Sequence, residues 1–308
     1  MKMKIVVLGA GSIGSLFGGM LARLGVNVVL IGRERHVRAI RERGLRLKDE
    51  KELVVDVKAT SNPLDAGKAD ILLLTVKAYD TKAAALDAKP LMKRDTLVLC
   101  LQNGLGTEGE AAEILGKSRI LRGVTSEGAL LAAPGIVYHT GRGETIIGAP
   151  FTSLPSKVEE IVELFNEAGF DTRTSDFIEG DVWTKVLVNA GINPIGAITR
   201  LKNGEILKHP QLVEAMKVLV KEGVQVANKC KISFTENPVN KTIHVAKMTA
   251  ENKNSMLQDL EKGKRTEIDY INGAIVRYGA MVGVDTPANL TVTAIIKALE
   301  ERQRSREA

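Results

Sequence analysis

Two cysteines in 308 residues, Cys100 and Cys230, exclude a small disulfide-stapled scaffold and suit a reducing cytoplasm. Neither sits in a C-x-x-C or Cys/His cluster, and the four histidines (His36, His139, His209 and His244) are scattered, so no metal is expected. Cys100 lies in the apolar run 97–101 and reads as a small buried hydrophobe. No stretch approaches the ~18 uncharged apolar residues of a membrane-spanning helix. The opening MKMKIVVLGAG only superficially resembles a signal peptide, because its apolar run is short and leads into a glycine loop without a cleavage pattern. Aromatic residues are scarce at 4%, so the core must be built from Val, Leu, Ile and Ala. Charge of one sign is lacking too. Lys+Arg exceeds Asp+Glu by 43 − 37, or +6, with the signs interspersed and no basic run interleaved with aromatics. That balance suits an anionic small molecule and gives no nucleic-acid signature.

What the chain has is alternation. Apolar runs at 4–8, 26–31, 71–76, 96–101 and 120–124 read as strands buried on both faces. Helical patterns at 15–24, 34–43, 79–89 and from 107 separate them, and 45–47 and 53–57 read as shorter strands. The Arg-rich stretch 33–46, including His36, reads as one solvated helix face. Residues 135–148 alternate around Gly141-Arg142-Gly143 and predict a β-hairpin; a helix at 157–167 and a strand at 170–174 follow. From about residue 177 strand signals nearly vanish, and helical periodicity covers 181–192, 212–228, 238–260, 267–279 and 287–302, before a charged, frayed tail. The expected architecture is α/β: an N-terminal Rossmann domain, a doubly wound parallel sheet over 1–176, then an all-helical domain over 177–308.

Gly9-Ala10-Gly11-Ser12-Ile13-Gly14 is a G-x-G-x-x-G loop between a strand and a helix, the context that a dinucleotide loop requires. Gly9 permits the turn, Gly11 lets the backbone approach a pyrophosphate, and Gly14 permits close packing; the helix N-terminus offers N–H groups to phosphate. The second strand runs into Arg33, which suits the 2′-phosphate of NADP, so NADPH is preferred. Arg33 also reads as a solvated surface arginine, and Glu34 keeps NADH open through the ribose hydroxyl. Farther on, Lys185, Asn189 and Asn193 recur at i, i+4 and i+8, one polar stripe on an otherwise apolar helix.

The glycine loop, Thr75-Val76-Lys77-Ala78, Asn103-Gly104, the W-x-K-x-x-x-N-x-x-x-N-P helix from Trp183, Asn203-Gly204-Glu205, the S-M-L-Q-D segment from Ser255 and the T-E-I-D-Y-I-N-G segment from Thr266 together resemble the ketopantoate reductase (2-dehydropantoate 2-reductase) family over nearly the whole chain. The resemblance implies a fold similar to 6-phosphogluconate dehydrogenase. It implies NADPH-dependent reduction of the C2 ketone of 2-dehydropantoate to (R)-pantoate, toward pantothenate and coenzyme A, by a cytoplasmic homodimer that pairs through its helical substrate-binding domain. Lys185 matches the general acid, whose pKa partial burial would lower. Glu267 matches an acid beside substrate and ribose. Asn103 matches a residue that positions nicotinamide and ketone. Asn189, Asn193, Asn203 and Ser255 match substrate-binding positions, with Asn252 in support; Lys77 and Ala129 match cofactor contacts.

Plainer readings stand beside these. Lys185 reads also as a snorkelling lysine, Asn189 and Asn193 as helix bridges, Glu267 as a helix N-terminal acid and Ser255 as an incidental serine. Two other functions compete with the first: a related reductase of another 2-oxo acid, and a non-catalytic dinucleotide sensor. A sensor has no use for the proton donor that Lys185 offers.

Overall fold

The computed structural model describes residues 3–153 and 156–307, with side chains through residue 303. Met1 and Lys2 of the opening MKMKIVVLGAG and Ala308 of the charged tail lie outside the described residues. The chain forms two compact units: Met1–Gln102 with Thr107–Ile178, and Asn103–Gly106 with Glu179–Ala308.

The strands of the first unit are β1 (Lys4–Leu8), β2 (Asn27–Ile31), β3 (Leu45–Lys48), β4 (Glu52–Val55), β5 (Lys58–Thr60), β6 (Ala69–Leu74), β7 (Met92–Cys100), β8 (Ile120–Thr125), β9 (Gly128–Ala133), β10 (Ile136–Gly141), β11 (Thr145–Gly148) and β12 (Thr172–Thr174). Its helices are α1 (Ser12–Arg23), α2 (Glu34–Arg43), α3 (Thr81–Ala88), α4 (Thr107–Leu115) and α5 (Lys157–Glu167). Eight strands form one sheet in the order β12-β11-β8-β7-β6-β1-β2-β5. It is parallel throughout except where β11 runs antiparallel to β8. The order runs outward in both directions from β1, as in a doubly wound fold, so the loops after β1 and β6 share one sheet edge.

The pleat of β1 explains the layering. Ile5 and Val7 join Leu16, Phe17 and Leu21 of α1 and Ile161 and Phe165 of α5 on one face. Val6 and Leu8 join Ala84, Ala85 and Ala88 of α3 and Ala111 and Ala112 of α4 on the other. Aromatics are few but concentrated: Phe17 stacks on Phe170 at 4.0 Å and tilts against Phe165 at 5.3 Å. All three are fully buried, at roughly 1.5–3 kcal/mol of transfer free energy each.

The remaining four strands form a second sheet, β4-β3-β10-β9, that periodicity alone does not separate from the first. Leu45, Leu47 and Val137 carry it onto α1. Helix α1 is thus held between two sheets, and glycine makes both approaches possible. A Cβ on Gly18 would lie 2.4 Å from Leu30 of the main sheet, and one on Gly19 2.7 Å from Leu45 of the second.

Four expectations are corrected. The hairpin at 135–148 is displaced: β9 and β10 pair across Pro134-Gly135, where Gly135 has φ +78°, while β10 and β11 belong to different sheets. Alternation marks a half-buried strand but does not name its partner. His36 is buried rather than solvated. The Gly135 N–H donates to its Nδ1 at 2.9 Å, which leaves Nε2–H to donate to Ser15 Oγ at 3.0 Å. Helix α1 begins at Ser12, inside the glycine motif, three residues before the periodic run at 15–24. The stretch 238–260 is two helices, α9 (Pro238–Met248) and α10 (Ser255–Glu261), because Asn254 caps the second through Oδ1 to Leu257 N at 3.0 Å.

The second unit adds α6 (Ile178–Thr199, beginning on the last residue of the first unit), α7 (Asn203–Ile206), α8 (Pro210–Lys229), α11 (Asn272–Val282) and α12 (Pro287–Glu307) to α9 and α10. Helix α12 continues past residue 302 into the segment expected to fray. Among the described residues no strand follows β12. Val188, Ile192 and Ile195 of α6 pack with Ile206, Met216, Leu219 and Ala246. Helices α6 and α8 meet closely: a Cβ on Gly223 would lie 2.3 Å from Leu187, and one on Gly191 2.9 Å from Val220. No described helix is long and apolar enough to cross a membrane.

Candidate functional site

In the first unit, the glycine loop assigns a separate physical task to each glycine. Gly9 has φ +107°, and a Cβ there would lie 2.4 Å from Val76 N, so both conformation and space require glycine. A Cβ on Gly14 would lie 2.2 Å from the Gly9 carbonyl and 2.4 Å from Thr75 Oγ1. Gly14 therefore packs the helix against its own loop and the end of β6 rather than simply against β1. Gly11 differs: a Cβ there would meet nothing nearer than the Gly9 carbonyl at 3.9 Å. The space over Gly11 is the cradle a pyrophosphate needs, and no side chain caps the N-terminus of α1 beside it. The residues present therefore fit a dinucleotide.

Ala10 N and Gly9 N both donate to the Ile31 carbonyl, at 2.8 and 3.1 Å, which ties the loop to the end of β2. The Ser12 hydroxyl accepts from Leu131 N of β9 at 3.0 Å, which ties the start of α1 to the second sheet. Thr75 was legible as the end of a strand and as part of the family resemblance, with no role of its own; its hydroxyl donates to the Gly9 carbonyl at 2.8 Å and holds the turn. Arg33 stands exposed at the N-cap position of α2, after the C-terminal end of β2. Its neighbour Glu34 accepts from Ser61 Oγ at 2.5 Å. Lys77 is half-buried just after β6, and Ala129 lies in β9 paired with His139 of β10.

The second unit holds the remaining residues. Loop Asn103–Gly106 groups with it, although only Leu101 and Gln102 separate it from β7 in the chain. Gly104 has φ +94°, and a Cβ on it would lie 2.6 Å from Tyr270; Leu105 N donates to the Tyr270 carbonyl at 2.9 Å. That seat brings together two of the expected residues. Asn103 Nδ2 donates to Glu267 Oε2 at 3.3 Å, and Glu267 is only 6% exposed. A buried carboxylate beside an amide is suited to orienting hydroxyl groups.

On α6 the polar stripe is present with a gradient. Lys185 and Asn189 are half-buried and Asn193 is buried, while Val186, Leu187, Ala190 and Ile192 between them are buried. Trp183 and Tyr278 pack edge to face at 5.5 Å beside the start of the stripe. Asn203 opens α7, donates through Nδ2 to Thr249 Oγ1 at 2.9 Å, and its backbone N donates to the Asn252 carbonyl at 3.0 Å. Its Oδ1 is buried without a partner, an acceptor left over. Asn252 and Ser255 are exposed, the latter as the first residue of α10. Sequence reasoning missed Asn254 between them. Its Oδ1 makes the cap, and its buried Nδ2 has no hydrogen-bond partner. An Asn directly ahead of an apolar run is the signal that could have found it. Among the described residues, no group of three or more His, Cys, Asp and Glu could hold a metal ion.

Comparison with known proteins gives the same reading. Residues 5–150 match the family described as ketopantoate reductase PanE/ApbA, and residues 177–300 match its C-terminal counterpart. The 2-dehydropantoate 2-reductase of Pyrococcus horikoshii is 45% identical over 97% of this chain and 98% of its own length; that of Archaeoglobus fulgidus is 40% identical over 96% and 98%. A solved PanE/ApbA family ketopantoate reductase from Ralstonia eutropha JMP134 superposes with a TM-score of 0.92 at 35% identity, covering 98% of this chain and all (100%) of that one. D-mandelate dehydrogenase, solved with NADH and anilino(oxo)acetate, superposes with a TM-score of 0.92 at 31% identity over 98% and 100%. With both of its parts matched in order and relatives aligned over nearly their full length, the chain belongs to the ketopantoate reductase family of NAD(P)H-dependent oxidoreductases.

Proposed function

We propose that the chain reduces the C2 ketone of 2-dehydropantoate to the alcohol of (R)-pantoate, with NADPH as the preferred reductant. When bound, the reduced dinucleotide supplies a hydride to C2. The rest of the chemistry belongs to the protein. Negative charge develops on the ketone oxygen as the hydride arrives, and the Lys185 ammonium gives that oxygen a proton, completing the hydroxyl. Asn189 and Asn193 present neutral donors and acceptors along the same helix face, suited to the substrate's carboxylate and 4-hydroxyl. Asn203, whose Oδ1 is a spare buried acceptor, and Asn252 and Ser255 extend that polar surface. Glu267 and Asn103 act as a hydrogen-bonded pair, orienting hydroxyl and amide groups at the reacting centre. Gly9 through Gly14 hold the pyrophosphate, with Lys77 and Ala129 as further cofactor contacts.

The observation that carries this reading is the α6 stripe, an amine at the accessible end of a helix face whose amides become progressively buried. The cofactor preference rests on Arg33, exposed after the end of β2 with a guanidinium suited to a 2′-phosphate, and on Glu34, whose carboxylate is already engaged by Ser61. A homodimer formed through the helical unit fits the exposed apolar side chains Val218, Met248, Met281 and Leu290 of that unit, and the two free cysteines fit the cytoplasm.

A second reading, reduction of a different 2-oxo acid, is favoured by the likeness to D-mandelate dehydrogenase. Steady-state kinetics with NADPH and NADH on 2-dehydropantoate and on an aryl 2-oxo acid separates the two. The expected result is a kcat/KM at least tenfold higher with 2-dehydropantoate and NADPH. Turnover confined to the aryl acid would favour the second reading, and tight dinucleotide binding without any turnover would leave a sensor.

A further inference from the structure

Helix α6 carries Pro194 in its interior, directly after Asn193. Proline has no N–H, so the carbonyl four residues earlier, that of Ala190, lacks its helical donor. Such a carbonyl inside a packed unit must find another partner. It does: Asn272, the first residue of α11 and fully buried, donates from Nδ2 to the Ala190 carbonyl at 3.1 Å.

The amide that makes this bond has no freedom to turn. Asn272 Nδ2 also donates to Asn289 Oδ1 at 2.9 Å. Asn289 in turn donates from Nδ2 to the Leu219 carbonyl at 3.0 Å and to Glu222 Oε2 at 2.8 Å. A carbonyl and a carboxylate only accept, so they fix which way Asn289 faces, and Asn289 fixes Asn272. Glu222 is itself held by Ala288 N at 2.9 Å and Asn289 N at 3.0 Å, at the N-terminus of α12, where a negative charge is favoured. One file of polar groups thus runs from α8 through α12 and α11 to a single carbonyl of α6. That carbonyl follows Asn189 by one residue and precedes Asn193 by three.

We propose that Asn272 is a positioning residue: by donating to the carbonyl that Pro194 leaves open, it sets the turn of α6 on which Asn189 and Asn193 are presented to the keto acid. The proposal rests on the reading of those two asparagines as substrate contacts. It gives Pro194 a purpose as well, because an uninterrupted helix would hold the Ala190 carbonyl by its own backbone and leave Asn272 nothing to hold.

The test is a rescue, using the full chain as Asn272→Ala, Pro194→Ala and the double variant. Alanine at 194 restores an N–H four residues after Ala190. Asn272→Ala is expected to raise KM for 2-dehydropantoate at least tenfold, to leave KM for NADPH within about twofold, and to speed amide hydrogen exchange across residues 186–196 at least tenfold. The double variant should return KM for the keto acid to within about threefold of wild type and slow that exchange again. An Asn272→Ala protein with a lower Tm but an unchanged KM and exchange pattern would overturn the proposal, as would a double variant no closer to wild type than the single. If Asn272→Ala alone does not fold, a soluble, active double variant supports the proposal and an insoluble or inactive one overturns it. If the wild-type protein does not turn over 2-dehydropantoate, the substrate reading fails while the exchange experiment still decides the role of Asn272.

Discussion

Alanine at Gly9 and alanine at Gly11 are the same change two residues apart in one loop, and the structure predicts opposite consequences. At Gly9 the φ of +107° forces an L-residue into a conformation that costs about 1–2 kcal/mol. The new Cβ would also stand 2.4 Å from Val76 N and 2.7 Å from the Thr75 carbonyl carbon, backbone that cannot swing aside, at roughly 1–3 kcal/mol for the overpacking. The total of about 2–5 kcal/mol is a large share of the ~5–15 kcal/mol that holds a folded protein together. Gly9→Ala should therefore lower Tm by on the order of 10 °C with no ligand present. At Gly11, φ is −88°, which alanine adopts, and the new methyl meets nothing within 3.9 Å. Stability should stay within about 0.5 kcal/mol of wild type. The methyl instead enters the space a pyrophosphate needs, and NADPH affinity should fall about tenfold or more, or ~1.4 kcal/mol. Thermal unfolding of the ligand-free variants, beside a fluorescence titration with NADPH, reads both quantities. If Gly11→Ala binds NADPH normally, or destabilises the protein as much as Gly9→Ala, the reasoning about this loop is wrong.

Three further expectations follow from the same structure. Lys185→Ala should lower kcat by ~10² or more with Tm nearly unchanged, and a near-normal kcat would remove it as proton donor. Arg33→Ala should raise KM for NADPH much more than for NADH; equal effects would mean that the arginine does not read the 2′-phosphate. Burial lowers the pKa of His36 below its usual 6.5, so the folded protein holds it neutral while the unfolded chain takes up a proton first. Its contribution to stability is therefore fully present above pH ~6.5 and declines as the pH falls below that value. Urea midpoints measured from pH 7.5 to 5.5 should drop less steeply in His36→Gln than in wild type. Parallel curves would show that another group sets the slope.

Local chemistry made part of this protein readable from the chain alone. Helices α2 and α5 have the bounds the periodicity predicts, Glu34–Arg43 and Lys157–Glu167, because each is an amphipathic run with clear stops at Gly44 and Gly169. The glycine loop was legible because motif, preceding strand and following helix are contiguous, and the i, i+4, i+8 stripe because a helix converts spacing into a face. The seat of Gly104 and Leu105 on Tyr270, and with it the bond from Asn103 to Glu267, was not legible, since contacts between residues 103–105 and 267–270 leave no mark on either segment.

The amino-acid sequence by itself determined the alternating strands and helices, the glycine loop between strand and helix, and the family, each legible in short stretches of the chain. Only the tertiary structure decided that β3, β4, β9 and β10 leave the main sheet, that His36 is buried, and that Asn272 supplies the bond Pro194 removes. A residue's preference for burial or for a turn is written in its side chain. The partner that satisfies it is chosen by packing between segments far apart in the chain.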